Sequence, residues 1–175
     1  MPVARKSIHA TLPFSLFSLT TLRSFPQMKP MDILAAIPHR PPFLFVDNVV
    51  SCDDARIVTE RTWRPDEDFY KGHYPSNPIT PGVLLCESVF QSAAILLSDK
   101  LKKESGAEGK VPVLTRIQGA KFKRMVLPGQ KAEIEVTLTD SVRTAHFLSG
   151  KVSVDGKLAM TVDFAITMAD KTSAE

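Results

Sequence analysis

Cysteine is scarce. The 175 residues hold two, Cys52 and Cys86, too few for a disulfide framework and without the paired spacing of a zinc site. Cys86 lies in an apolar run and reads as a buried free thiol, which fits a reducing, intracellular compartment. No stretch reaches the roughly 18–20 uninterrupted apolar residues of a membrane-spanning helix. No repeat and no linker divides residues 28–169. Acid is missing altogether from residues 1–31, which carry Arg5, Lys6, Arg23 and Lys29. Of the 22 basic residues 18 therefore remain for residues 32–175, against all 19 acidic ones, so the formal charge of +3 is owed to the N-terminal segment. That charge gives no reason to expect nucleic-acid binding by the folded part. With 43% hydrophobic and 23% charged residues the chain is neither disordered, collagen-like nor a coiled-coil rod. It is long enough to bury one ordinary core without metal or disulfides.

Residues 1–27 are rich in Ser and Thr. Pro13 and the hydroxyl residues interrupt their apolar stretch, which argues against a secretory signal. Two readings remain: an idle leader ahead of a misplaced start, with Met28 or Met31 as the true one, or an organellar transit peptide. Residues 28–169 form the domain, and residues 170–175 read as a polar tail.

Within the domain, residues 31–37 suit a short helix. Residues 43–52 and 55–63 read as strands around an Asp53-Asp54 turn. Residues 64–81 are a loop, in which Pro75, Pro78 and Pro81 predict an extended and stiff backbone. Proline then disappears over residues 82–103, and VLLCESVFQSAAILLSDKLKK is apolar nearly all round. A surface helix would show a polar face. This run predicts a central, buried helix, with Pro81 suited to its first turn and Lys100, Lys102 and Lys103 to its C-terminal end. Residues 113–126, 131–140, 143–154 and 157–168 read as strands. The third and fourth meet at Asp155-Gly156, a type I′ hairpin signal. In the last, Leu158, Met160, Val162, Phe164, Ile166 and Met168 alternate with smaller or polar residues. The expected fold class is α+β: a curved antiparallel sheet wrapped around one long helix of about residues 82–103. One sheet cannot enclose such a helix, so pairing of two copies is expected.

A helix this apolar calls for a reason to carry a carboxylate. Glu87 lies among Leu84, Leu85, Cys86, Val89 and Phe90, with Gln91 at i+4 on the same face. A desolvated glutamate holds its proton toward neutrality, the state a general acid needs. The plain alternative is a buried Glu satisfied by Gln91 or by a basic side chain. His73 stands in the proline-stiffened loop that feeds the helix, where a fixed backbone suits a catalytic base. The plain alternative there is an exposed loop histidine. The first N–H groups of the helix, at Pro81-Gly82, have no helical partner, and Gly82 lets a ligand carbonyl approach. A base, an acid and an oxyanion site are the parts for removing a proton beside a carbonyl and expelling a β-hydroxyl.

Residues 72–91, GHYPSNPITPGVLLCESVFQ, resemble the signature of the 3-hydroxyacyl-[acyl-carrier-protein] dehydratases of dissociated fatty acid synthesis, which are hotdog-fold enzymes. Residues 37–47, IPHRPPFLFVD, and 121–129, KFKRMVLPG, resemble two further family motifs. The resemblance spans about residues 31–168. It implies that His73 is the catalytic histidine and Glu87 the catalytic acid, facing each other across a dimer interface, one from each subunit. It implies that the Gly82 N–H binds the thioester carbonyl, that Gln91 orients Glu87, and that Pro81 supports the site. An acyl tunnel between subunits would include Phe122. Lys121, Lys123 and Arg124 would meet the acidic carrier protein or its phosphopantetheine arm, or else form a solvated strand edge. His39 and Arg40 read as structural, and Asp47 has no assigned chemistry. Thr80, Cys86, Ser88 and Phe90 depart from the commoner residues of the pattern, which bears on acyl chain length. Glu87, where isomerising relatives usually carry aspartate, implies dehydration without isomerisation.

The implied reaction is dehydration of a (3R)-hydroxyacyl thioester on acyl carrier protein to the trans-2-enoyl product, by a cytoplasmic enzyme, or an organellar one if residues 1–27 are a transit peptide. No metal or other cofactor is implied, since the phosphopantetheine belongs to the carrier. The implied partners are acyl carrier protein and a second copy of the chain, with a hexamer, a trimer of dimers, as a larger assembly. Two rivals are a hotdog acyl thioesterase and a non-catalytic acyl-thioester-binding hotdog protein.

Overall fold

The computed structural model describes residues 32–104 and 110–170. The leader, residues 105–109 and nearly all of the 170–175 tail lie outside those residues.

The chain opens with one helical turn, α1 (Ile33–Ala36), capped by the Asp32 carboxylate, which accepts the Leu34 and Ala35 N–H groups. Strands β1 (Asn48–Cys52) and β2 (Arg56–Thr62) follow. A 3-10 turn (Asp68–Lys71) precedes the long helix α2 (Gly82–Glu104), and β3 (Lys110–Phe122), β4 (Lys131–Val142), β5 (Ala145–Val154) and β6 (Lys157–Asp170) complete the fold. All strand pairs are antiparallel, in the order β1-β2-β4-β5-β6-β3. Helix α2 lies across this sheet and packs on β2, β3, β4, β5 and β6. The expected α+β hotdog architecture is therefore present.

The core sits between α2 and the inner face of the sheet. Ala132, Ile134 and Val136 of β4, Leu148 and Val152 of β5, and Met160, Val162 and Phe164 of β6 are buried there against Val89, Ala93, Ile95 and Leu97 of α2. Each fully buried aliphatic side chain stabilises the fold by about 1.5–3 kcal/mol. The closest approach is at Gly150 of β5, where the Val89 side chain fills the space a Cβ would need.

Three expectations need correction. Residues 43–47 are not strand. Only the Asp47 N–H meets β2, at Glu60 O, whereas the Phe45 N–H goes to the Gln91 side chain and the Phe43 carbonyl accepts from it. The proline loop is not uniformly extended, because Tyr74 takes φ 56° and a turn closes from Asn77 N–H to Tyr74 O at 2.8 Å. As expected of a helix that one sheet cannot enclose, α2 leaves Val83 in its first turn 74% exposed. The last strand alternates less cleanly than expected: its register shifts opposite Val152/Ser153, and Ala159 and Ala165 are buried beside the large residues. The type I′ hairpin is as expected, with Asp155 at φ 50° and Gly156 at φ 69°. Strands β3 and β4 are joined at Pro128-Gly129 yet do not pair; β3 lies at the outer edge, against β6.

Candidate active site

The loop and helix start bring His73 and Gly82 together. The His73 N–H bonds Phe69 O at 2.9 Å, tying the residue to the 3-10 turn. Its ring Nδ1 lies 2.9 Å from Ile79 O. A carbonyl can only accept, so Nδ1 carries the hydrogen and Nε2 presents a lone pair. That is the tautomer a base requires. The Tyr74 ring packs edge-on against the imidazole at 4.7 Å. The Pro81 carbonyl accepts from Leu84 and Leu85 N–H, so Pro81 stands one residue before the helix rather than in its first turn. Among the described residues no acceptor takes the Gly82 N–H. The other side of Gly82 is packed: a Cβ would lie 2.8 Å from the Phe122 ring. Glycine at this position admits the Phe122 ring, while Gly82 still lines the open cleft beside it.

His73, Thr80, Gly82, Phe122, Lys123 and Arg124 line one open cleft of about 760 Å³. The backbone N–H groups of Lys123 and Arg124 both bond Ala159 O, which fixes the backbone of these two lining residues. Lys121 is exposed on β3 and does not line it.

Glu87 lines a different cavity, of about 140 Å³, with His39, Phe90, Gln91, Leu114 and Ile166 among its walls. The two cavities share no lining residue. Gln91 is fully buried and its amide is fully used: Nε2 donates to Glu87 Oε1 at 3.0 Å and to Phe43 O at 3.1 Å, while Oε1 accepts from Phe45 N–H at 2.7 Å. Gln91 thus joins the carboxyl to the 43–45 segment. The Glu87 side chain is still 23% exposed in the single chain, so it is not sealed from water as expected of a buried helix.

Sequence reasoning gave no chemical role to His39, whose Nε2 lies 3.6 Å from Glu87 Oε1. The available signal was its place in a motif shared with the pattern, beside Arg40. Asp47 was also missed. Its carboxylate takes the Thr62 N–H at 2.7 Å, Arg61 at 2.9 Å and Arg64 at 3.0 Å. Arg61 is buried and also binds Glu67, so this group ties the strands to the loop that leads to His73. Burial pushes the Asp47 pKa up, but the Thr62 N–H and the Arg61 and Arg64 guanidiniums outweigh it and leave it below its ordinary value. No group of three or more His, Cys, Asp or Glu side chains is placed to hold a metal ion among the described residues. Nor is any helix among them long and apolar enough to cross a membrane.

The FabA-like domain family matches residues 37–163, a span that includes both His73 and Glu87. The 3-hydroxyacyl-[acyl-carrier-protein] dehydratase FabZ of Anaeromyxobacter dehalogenans is 38% identical over 142 residues, covering 81% of this chain and 90% of that protein. The chain belongs to the 3-hydroxyacyl-[acyl-carrier-protein] dehydratase family. FabZ of Streptococcus uberis is likewise 38% identical, over 77% of this chain and 95% of its own. A solved dehydratase heterocomplex, ApeI:P of Xenorhabdus doucetiae, has the same fold with a TM-score of 0.67 at 16% identity, covering 83% of this chain and 94% of its own.

Two departures from the dehydratase pattern find local partners. The Thr80 hydroxyl lies 2.6 Å from the buried Tyr70 hydroxyl. Ser88 bonds Leu85 O, and its own carbonyl accepts from Ser92, which meets Thr59 at 2.7 Å.

Proposed function

We propose that His73 and Glu87 are the base and acid of this dehydratase and that each active site draws one of them from each of two copies of the chain. The enzyme is a hydro-lyase of fatty acid biosynthesis. It removes water from a (3R)-hydroxyacyl thioester on acyl carrier protein and leaves the trans-2-enoyl thioester. His73 Nε2 takes the proton from C2. The electrons of that C–H bond form the C2=C3 double bond, and the C3–O bond breaks. Protonated Glu87 gives its hydrogen to the departing hydroxyl, which leaves as water. The Gly82 N–H steadies the thioester oxygen while negative charge gathers on it. Return of the proton from His73 to Glu87 resets the site. These steps are proton transfers and need no redox group, and the phosphopantetheine arrives with the carrier. Lys123 and Arg124, which line the His73 cleft, suit the acidic carrier and its phosphate. The setting proposed is the cytoplasm.

The observation that carries this reading is the His73 tautomer, Nδ1–H held by Ile79 O with a lone pair left on Nε2, in a residue that lines the same cleft as Gly82. The separation of the two cavities supports the second copy, as does β3. That strand is a sheet edge thirteen residues long, and Leu114, Ile117 and Phe122 on it are 40–55% exposed. A long apolar edge favours pairing with another strand. The same interface would close the Glu87 cavity, which β3 already borders.

The test is mass spectrometry of (3R)-hydroxyacyl-carrier substrates after incubation. Loss of one water by wild type, reduced at least about 100-fold in Glu87→Gln, is expected. Free fatty acid with free carrier thiol would instead mean a thioesterase. Unchanged substrate held tightly would mean a binding protein.

A further inference from the structure

We propose that His39 is a positioning residue that fixes which oxygen of Glu87 carries the transferable hydrogen. This rests on the reading of Glu87 as the acid.

His39 is held by its neighbours. The Arg40 guanidinium donates to Leu34 O at 2.9 Å, Ile37 O at 2.9 Å and His39 O at 2.7 Å, which clamps the backbone on both sides of the imidazole. The ring stacks on Phe43, with centroids 6.4 Å apart and planes at 25°. Gln91 grips the Phe43 carbonyl from below. The imidazole and the Gln91 amide are thereby parts of one frame around the carboxyl.

Both act on the same oxygen. Gln91 Nε2 is 3.0 Å from Glu87 Oε1, and His39 Nε2 is 3.6 Å from it. A carboxylic acid has one accepting carbonyl oxygen and one hydroxyl oxygen. Donors gathered at Oε1 make it the accepting oxygen and leave the hydrogen on Oε2. The His39 separation exceeds a hydrogen bond. Contacts of this kind are often long in the free enzyme and tighten when substrate binds. The His39 tautomer is set by its other nitrogen: Nδ1 is buried and has no partner among the described residues. Unmatched at Nδ1 in either form, the ring gains only by placing its hydrogen on Nε2, where the Glu87 oxygen can accept it.

The rest of the cavity is apolar. Pro112, Val113 and Leu114 of β3 and Ile166 of β6 bring no charge to it. From α2 only Gln91 and the neighbouring Cys86 thiol bear on Glu87. His39 is the single basic group in ion-pair range of Glu87 among the described residues.

Two variants separate positioning from mere support. The glutamine amide nitrogen falls near the place of imidazole Nε2, and the asparagine nitrogen near that of Nδ1. His39→Asn is expected to lose at least about tenfold in kcat with KM within about twofold, and His39→Gln to recover most of the loss. The limb of the kcat pH profile that Glu87→Gln abolishes moves in His39→Asn and stays in place in His39→Gln. Wild-type kcat and profile in His39→Asn would overturn the proposal, as would equal losses in both variants that follow a lowered Tm. A readout without turnover is the 13C shift of the Glu87 carboxyl, assigned with Glu87→Gln. It moves in His39→Asn and returns in His39→Gln; a shift unmoved in both overturns the contact. A wild-type protein that dehydrates nothing would instead overturn the acid reading of Glu87, and the 13C result would still decide the contact.

Discussion

Gln91 carries more of the site than its neutral amide suggests. It is fully buried and holds Glu87, Phe43 and Phe45 at once. Gln91→Leu leaves the Phe45 N–H and the Phe43 carbonyl without partners, at about 1–3 kcal/mol for each buried group. A lowered denaturation midpoint together with slower turnover is the expected result. Wild-type stability would show that water replaces the amide. Asp47 gives a pH signature. Its folded pKa lies below the ordinary 3.8, so the stability it contributes is present above that value and lost as pH falls through the lower folded one. Tm of wild type and Asp47→Asn should differ at pH 6 and converge below about pH 3.9. At this scale the sequence singled out Glu87, Gln91 and His73, because a carboxylate on an apolar helix and a histidine among prolines stand out locally. The contact of His39 with Glu87 was hidden, since it joins segments far apart in the chain. So was the packing of the Phe122 ring from β3 against Gly82.

Helix α2 is seated by one close approach. The Val89 side chain fills the space over Gly150, so Gly150→Ala forces the helix and β5 apart. Overpacking of this kind costs about 1–3 kcal/mol. Chemical denaturation should show a midpoint lowered accordingly; an unchanged midpoint would mean that Val89 turns aside freely. The helix itself was legible from missing proline and from apolar content, and the Asp155-Gly156 hairpin from its turn residues. Residues 43–47 were misread as strand for a physical reason. Their apolar content matches a strand, but the Gln91 side chain takes the backbone groups that a neighbouring strand would use. Alternation also cannot name a strand's partner, which is why β3 at the far edge beside β6 was not foreseen.

The molecule as a whole places its proposed base and acid in separate cavities and leaves an apolar strand at its edge. A second copy along β3 accounts for both. Ile117, on β3 and 53% exposed, is a suitable probe. Ile117→Lys should give a folded monomer by sedimentation with turnover lost, whereas an active monomer would place the whole site in one chain. The most direct measurement of the central claim mixes two inactive proteins. His73→Ala and Glu87→Gln subunits are refolded together in equal amounts, and water loss from the hydroxyacyl-carrier substrate is followed. Each variant alone should be inactive. A mixed dimer would hold one intact site and one doubly impaired site, so random pairing should restore about a quarter of wild-type activity. A mixture as inactive as its components, with mixed dimers demonstrably present, would contradict a site shared between two copies.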